Sequence, residues 1–124
     1  MDNKAIGKIG EDLAVKFLRR KGYNILYRNW RCSFGEIDIV AQEKGFIVFA
    51  EIKTRRSDAF GAGYLSVNSA KQLKLIKLAQ AFLKRYGLTD RPCRIDIVSI
   101  KINIDENNKP ANIELIKDAF WQNK

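Results

Sequence analysis

The chain has 124 residues, 46% hydrophobic and 30% charged, the proportions of a single soluble globular domain spanning 1–124. It contains no histidine, which excludes imidazole bases, Ser-His triads and His-ligated metals and leaves carboxylates and lysine for any chemistry. A net charge of +9 favours a polyanionic partner such as nucleic acid, the alternative being a surface that is merely lysine-rich. Residues 4–21 read as an amphipathic helix, because Ile6, Ile9, Leu13, Phe17 and Leu18 recur at helical spacing and Gly22 follows as a cap. Arg19, Arg20 and Lys21 suit the helix dipole in the last turn and are also available to phosphates. Gly7, Gly10 and Ala14 form a ridge of small residues. Glycine in a helix costs up to about 1 kcal/mol against alanine, so two of them suggest close approach to a neighbour. Residues 23–32 follow as a first strand, with Tyr23, Ile25, Tyr27 and Trp30 packing and Arg28 and Arg31 exposed. Trp30 has the option of stacking on a base, but a lone tryptophan beside a strand reads as core.

Gly35–Val40 and Phe46–Lys53 read as two further strands around a polar break containing Gly45. Alternation turns Glu36 and Asp38 to one face with Ile37 and Ile39 opposite, and Glu51 and Lys53 to one face with Ala50 and Ile52 opposite. A hairpin centred on Lys44-Gly45 sets Asp38 opposite Glu51 and Glu36 opposite Lys53. Three carboxylates and one ammonium then converge on a hydrophobic ribbon. Opposed carboxylates repel and buried charge needs compensation. Mg²⁺ supplies it, because that ion takes one or two carboxylates and keeps several waters. A lysine two residues after a metal-binding glutamate reaches the same place to orient water or stabilise an oxyanion. A solvated face of cross-strand Glu–Lys pairs is the other reading of the same pattern.

A loop follows Thr54, from Arg55 to Val67, and its Phe60-Gly61-Ala62-Gly63 is too short for a dinucleotide fingerprint. It reads either as a plain connection or as a surface loop closing over a substrate backbone. Residues 69–86 form a second helix, capped by Asn68 and stopped by Gly87, with Leu75, Ile76, Ala79, Phe82 and Leu83 buried. Lys71, Lys74, Lys77, Lys84 and Arg85 share its other side, as a solvated face or a track for phosphates. Arg94–Asn103 alternates as a fourth strand, in which Asp96 reads as structural, capping or pairing with an arginine. Asp105–Pro110 is turn-rich and Asn112–Lys117 a fifth, edge strand. The apolar tail Ala119-Phe120-Trp121 either packs back or meets a partner subunit. Cys32 and Cys93 match no metal spacing and read as reduced structural thiols. With no apolar run of membrane-spanning length and no signal-peptide pattern, the reading is a cytoplasmic protein without a membrane partner.

Asp38, twelve residues, then Glu51-Ile52-Lys53 resembles the D…(D/E)xK signature of the restriction-endonuclease-like nuclease superfamily. More closely, GEDLAVKFLRRKGY, NWRCSFGEIDIVA and FIVFAEIKTR, in that order, resemble the YraN family of small bacterial proteins, over roughly residues 7 to 100. That family is largely uncharacterised, is expected to be nuclease-like and is similar to archaeal Holliday-junction resolvases. Ala50 stands where a larger aliphatic residue is usual. The resemblance implies an α/β fold, a restriction-endonuclease-like mixed β-sheet flanked by helices in the order α-β-β-β-α-β-β.

It also implies a divalent-metal-dependent endonuclease acting on DNA, structured or branched DNA included, without separating DNA from RNA. Asp38 and Glu51 are then ligands of Mg²⁺ or Mn²⁺, and Lys53 orients water and stabilises the scissile phosphate. From position alone Glu11 is an ordinary first-turn carboxylate beside Asp12. The resemblance instead makes it a further metal ligand, since a helix glutamate completes the site in resolvase-like members. Glu36 and Gln72 are expected around these residues, and Arg55, Arg56, Lys71 and Lys74 against the phosphate backbone. The alternative is a non-catalytic nucleic-acid-binding module of the same fold in a DNA-processing assembly. The edges and tail permit a homodimer.

Overall fold

The computed structural model describes residues 3–56, 68–103 and 109–120. Seven elements run in the order α1 (Asn3–Arg20), β1 (Asn24–Cys32), β2 (Gly35–Glu43), β3 (Phe46–Arg56), α2 (Ser69–Arg85), β4 (Cys93–Asn103) and β5 (Lys109–Ile116). This is the α-β-β-β-α-β-β order expected from the sequence. The five strands form one sheet in the order β1-β2-β3-β4-β5, and every neighbouring pair is antiparallel except β3 and β4. A parallel pair needs a long crossover, and α2 lies within it. β4 is buried continuously from Arg94 to Ile100, as a central strand covered on both faces must be.

Each helix covers one face. Ile6, Ala14, Val15 and Leu18 of α1 pack with Ile39, Ala41, Val48, Ala50, Val98, Ile100 and Ile102. Leu75, Leu78, Ala79, Phe82 and Leu83 of α2 pack with Trp30, Ile37, Val40, Ile47, Phe49 and Ile95. The expected stripe of α2 is shifted slightly: Leu78 is buried and Ile76 only partly so. The small residues of α1 explain its approach at one point. A Cβ on Gly10 would lie 2.8 Å from Thr54 Cβ and 2.7 Å from its Cγ2, so only glycine lets the helix settle there. The Asn68 side chain accepts the Lys71 N–H at 3.0 Å. At the other end Leu88 N–H donates to Leu83 O and Gly87 N–H to Lys84 O, the Schellman closure.

The β2–β3 hairpin turns on Lys44 and Gly45, both at positive φ (50° and 84°), as a two-residue primed turn requires. Its register, Glu43 opposite Phe46 through Ile39 opposite Ala50, is the one the sequence dictates. Beside this turn the buried charges are mutually satisfied. Arg94 donates to Glu43 at 2.7 Å and to Asp96 at 3.0 Å, and Tyr23 donates to Asp96 at 2.7 Å. Asp96 is therefore structural, as its sequence context implies. Among these groups the Arg94 guanidinium holds the Glu43 carboxyl below its usual range.

Several expectations are corrected. Arg55 and Arg56 are the last residues of β3, paired with Lys101 and Ile102 of β4, and not loop. β5 begins at Lys109 and takes in Pro110, tolerated at an edge strand beside a bulge. Ile37 and Ile39 lie on opposite faces, against α2 and α1 respectively, because the alternation slips between them. Asn29, which falls opposite Asp38 in the β1–β2 register, has φ 54°. The tail packs back as far as Phe120, with Ala119 N–H on Ile95 O at 2.8 Å. The glycines at 61 and 63, residues 105–108 and Trp121 lie outside the described residues.

Candidate active site

β2 and β3 stop pairing at Ile39 and Ala50, and the fork that opens beyond them holds Asp38, Glu51 and Lys53. Asp38 Oδ2 accepts the Ile52 N–H at 2.8 Å, so a side chain takes over where the ladder ends. Its carboxyl also lies within hydrogen-bonding reach of Glu51. Burial, then the hydrogen bond and charge of Glu51, push the Asp38 carboxyl up to about 8, against the opposing pull of the Ile52 N–H. Asp38 therefore keeps its proton near neutrality. Lys53 Nζ stands 4.0 Å from Glu51 Oε2. Burial lowers the Lys53 pKa, partly offset by Glu51, and the approach of Lys71 lowers it further.

Two cavities meet this fork. One, of about 280 Å³, is lined by Gly7, Glu11, Asp38, Ile52, Lys53 and Thr54. The other, of about 330 Å³, is lined by Gly35, Glu36, Glu51, Lys71, Lys74 and two leucines of α2. The tight seat of Gly10 on Thr54 brings Gly7 and Glu11 to the first; the α2 N-terminal half supplies the cations of the second. The Glu11 side chain is engaged by Asn29 at 3.1 Å and lies 3.7 Å from Arg28. Arg28 binds Asp12 at 2.7 Å and so takes the neighbouring carboxylate out of contention.

The fork thus unites Asp38, Glu51, Lys53 and Lys71, with Glu11 and Lys74 lining adjoining walls. Glu36 lines the second cavity, and its charge raises the Asp38 pKa further. The ladder that would set it opposite Lys53 has ended, and Arg31 binds it at 3.1 Å instead. Gln72 lies half-buried in the first turn of α2, its N–H on Asn68 O. Half-buried Arg55 and exposed Arg56 extend β3 past the fork. Asn29 and the Ile52 N–H are parts that sequence reasoning missed. Asparagine within an aromatic, arginine-rich strand was the signal for the former, since it tolerates positive φ; the latter has no sequence signal.

A small hard cation suits these groups. Asp38 holds a proton that such an ion would replace, and the first cavity has room for several waters at about 30 Å³ each. Among the described residues, however, no three acidic or thiol groups stand close enough together to hold an ion, and the Glu11 side chain is engaged by Asn29. Among the same residues no helix is long and apolar enough to cross a membrane.

The family model described as "Uncharacterised protein family UPF0102" matches residues 10–100. A UPF0102 protein of Caldicellulosiruptor bescii is 48% identical over 121 residues, covering 97% of this chain and 100% of that protein. One from Moorella thermoacetica is 44% identical over 120 residues, 97% of this chain and 98% of its own length. A third, from Caldicellulosiruptor saccharolyticus, is 42% identical over 120 residues, 97% and 100% of the two chains.

Proposed function

The chain belongs to the UPF0102 family, and on that footing we propose that it is a divalent-metal-dependent endonuclease hydrolysing DNA phosphodiester bonds, structured or branched DNA among its substrates. The observation that carries this reading is the fork itself: Asp38 and Glu51 in hydrogen-bonding reach, Lys53 beside them, and Lys71 and Lys74 on the adjoining wall. Asp38 and Glu51 would hold the ion, with Glu11, which shares a cavity with Asp38, as a ligand direct or through water. When bound, Mg²⁺ or Mn²⁺ supplies activation of water and neutralisation of the phosphate charge. Lys53 orients the attacking water and stabilises charge developing on the scissile phosphate. Lys71, Lys74, Arg55 and Arg56 hold the backbone, which gives affinity without sequence information. Gln72 and Glu36 flank this set.

One observation favours a second reading, a non-catalytic nucleic-acid-binding module of a DNA-processing assembly. Glu11 is tied to Asn29 and Arg28, and no three-ligand cluster stands ready among the described residues. Cleavage of linear duplex, single strand, flap and four-way junction with Mg²⁺ or Mn²⁺ separates the two. The nuclease reading requires metal-dependent cutting that Asp38→Ala and Lys53→Ala both abolish. Binding that persists without metal and in Glu51→Ala, with no substrate cut, establishes the module instead.

A further inference from the structure

Cys32 pairs with Gly35, so Ser33 and Phe34 form the two-residue apex of the β1–β2 hairpin. Such turns favour glycine, asparagine, aspartate and serine for their backbone geometry; a phenylalanine adds nothing to the turn. Phe34 is 49% exposed. The other exposed rings are accounted for: Tyr27 and Tyr86 stack on each other and both pack on Phe82, and Phe46 carries the Arg94 guanidinium at 5.2 Å. Phe34 belongs to neither apolar cluster and meets no other ring of the described chain.

Its position is nevertheless fixed. A Cβ on Gly35 would lie 3.3 Å from both Leu78 methyls and from Lys74 Cε, so the base of the hairpin rests directly on α2. Gly35 and Glu36 line the cavity shared by Glu51, Lys71 and Lys74, and they also line a shallower one of about 320 Å³ with Arg31 and Cys32. The two hollows thus share Gly35 and Glu36, the residues that directly follow Phe34 in the chain. Lys71 and Lys74 stand in the first hollow beside Glu36 and Glu51, and Arg31 in the second is held by Glu36 at 3.1 Å. An exposed aromatic ring one residue from a hollow that carries two lysines has the composition of a stacking platform for single-stranded nucleic acid.

We infer that Phe34 stacks on an unpaired nucleobase next to the phosphate held at the fork, so that the substrate is nucleic acid with at least one base free of the duplex. This rests on the proposal that the fork acts on nucleic acid and adds the substrate feature it selects. A fully paired duplex offers no open base face beside the backbone, whereas a flap, gap, single strand or branch point does. Lys71 and Lys74 track the phosphates while Phe34 reads the open face.

The test is fluorescence-anisotropy binding in EDTA, which needs no cleavage, of one oligonucleotide presented single-stranded and in duplex. Phe34→Ala weakens single-strand binding roughly tenfold or more, the scale of one base–aromatic stack, and leaves duplex binding unchanged. Phe34→Trp retains the affinity, and its indole emission is quenched by the single strand and not by the duplex. Equal weakening of both forms, or of neither, overturns the inference while leaving the nuclease proposal to its own cleavage assay. A change in sedimentation with no change in binding also overturns it and makes Phe34 a contact between copies. Absence of any nucleic-acid binding overturns both.

Discussion

Asp38 Oδ2 accepts the Ile52 N–H at 2.8 Å at the first position past the last β2–β3 rung, so one carboxylate both closes the strand fork and faces Glu51. That double duty fixes how pH acts on the fold. The carboxyl titrates at about 8 in the native state against roughly 3.9 when unfolded. Between these values the native chain holds a proton that the unfolded chain has released, so stability falls as pH rises through the window. Asparagine keeps an acceptor for Ile52 and a donor for Glu51 without the charge. Asp38→Asn should match wild type in Tm at pH 4 and below and gain on it by several degrees toward pH 9. Thermal unfolding curves that stay parallel across that range would contradict the arrangement.

A cation and the Asp38 proton compete for the same oxygens. Mg²⁺ should therefore raise the Tm of the wild type at pH 8, by up to about 2.7 kcal/mol of stability at a hundredfold excess over its Kd. The rise should shrink at pH 5, where Asp38 keeps its proton, and should largely vanish in Asp38→Asn and Glu51→Gln. Differential scanning calorimetry with and without Mg²⁺ reads this directly. An equal shift in all three proteins would place the ion elsewhere.

The parts of the site legible in the sequence are those that local rules govern. Lys44-Gly45 dictates a primed turn, and the turn dictates a register that runs to Ile39 opposite Ala50, one residue short of Asp38 and Glu51. Asn68 and Gly87 bracket α2 for the same local reason. The parts that were not legible depend on geometry between elements. Ile37 and Ile39 look alike in the sequence, and only the slip opposite Asn29 sends them to opposite helices. Resemblance places Glu11 near the site, but which neighbour takes its carboxylate is set by how β1 twists beneath α1. Asp96 reads as a partner for arginine, yet Glu43, on a strand that β4 does not adjoin, has no sequence mark joining it to that pair.

Gly10 and Gly7 look equivalent in the helix and should behave oppositely. A methyl on Gly10 meets the Thr54 side chain, including its Cβ, and such overpacking costs about 1–3 kcal/mol, against about 1 kcal/mol gained from helix propensity. A methyl on Gly7 meets nothing within 4 Å, so only the propensity gain remains. Urea unfolding should show Gly10→Ala destabilised and Gly7→Ala stabilised. Gains of similar size from both would mean that α1 does not rest on Thr54.

Arg94 is the buried cation that compensates buried Glu43 and Asp96, and half-exposed Lys117 also reaches Glu43 at 3.3 Å. Removing it leaves two buried carboxylates without their guanidinium, a change that costs about 3–5 kcal/mol in buried pairs. Arg94→Met should lose that much in urea unfolding at pH 7. The loss should ease as pH falls and the carboxyls take up protons. Because the native Glu43 pKa is depressed, its own contribution to the wild type is present above the unfolded carboxyl range and is lost on acidification through the native value. A loss independent of pH would mean that Arg94 acts through packing on Phe46, 5.2 Å from its guanidinium, and not through charge.

Lys71 and Lys74 line the cavity that Glu51 also lines, whereas exposed Lys44 sits in the turn at the opposite end of β2. If nucleic acid is held at the fork, the first two neutralise phosphates and the third does not. Each neutralised phosphate adds about 0.9 to the slope of log K against log salt for duplex DNA. Lys71→Ala combined with Lys74→Ala should flatten that slope by about 0.9 for each phosphate no longer neutralised and weaken binding at low salt irrespective of sequence. Lys44→Asn, which keeps a residue tolerant of positive φ in the turn, removes a unit of charge as well and should leave the slope unchanged. The comparison separates a local seat from net charge: equal flattening by loss of Lys44 alone would mean that the +9 chain attracts DNA diffusely, with no backbone seat beside Glu51.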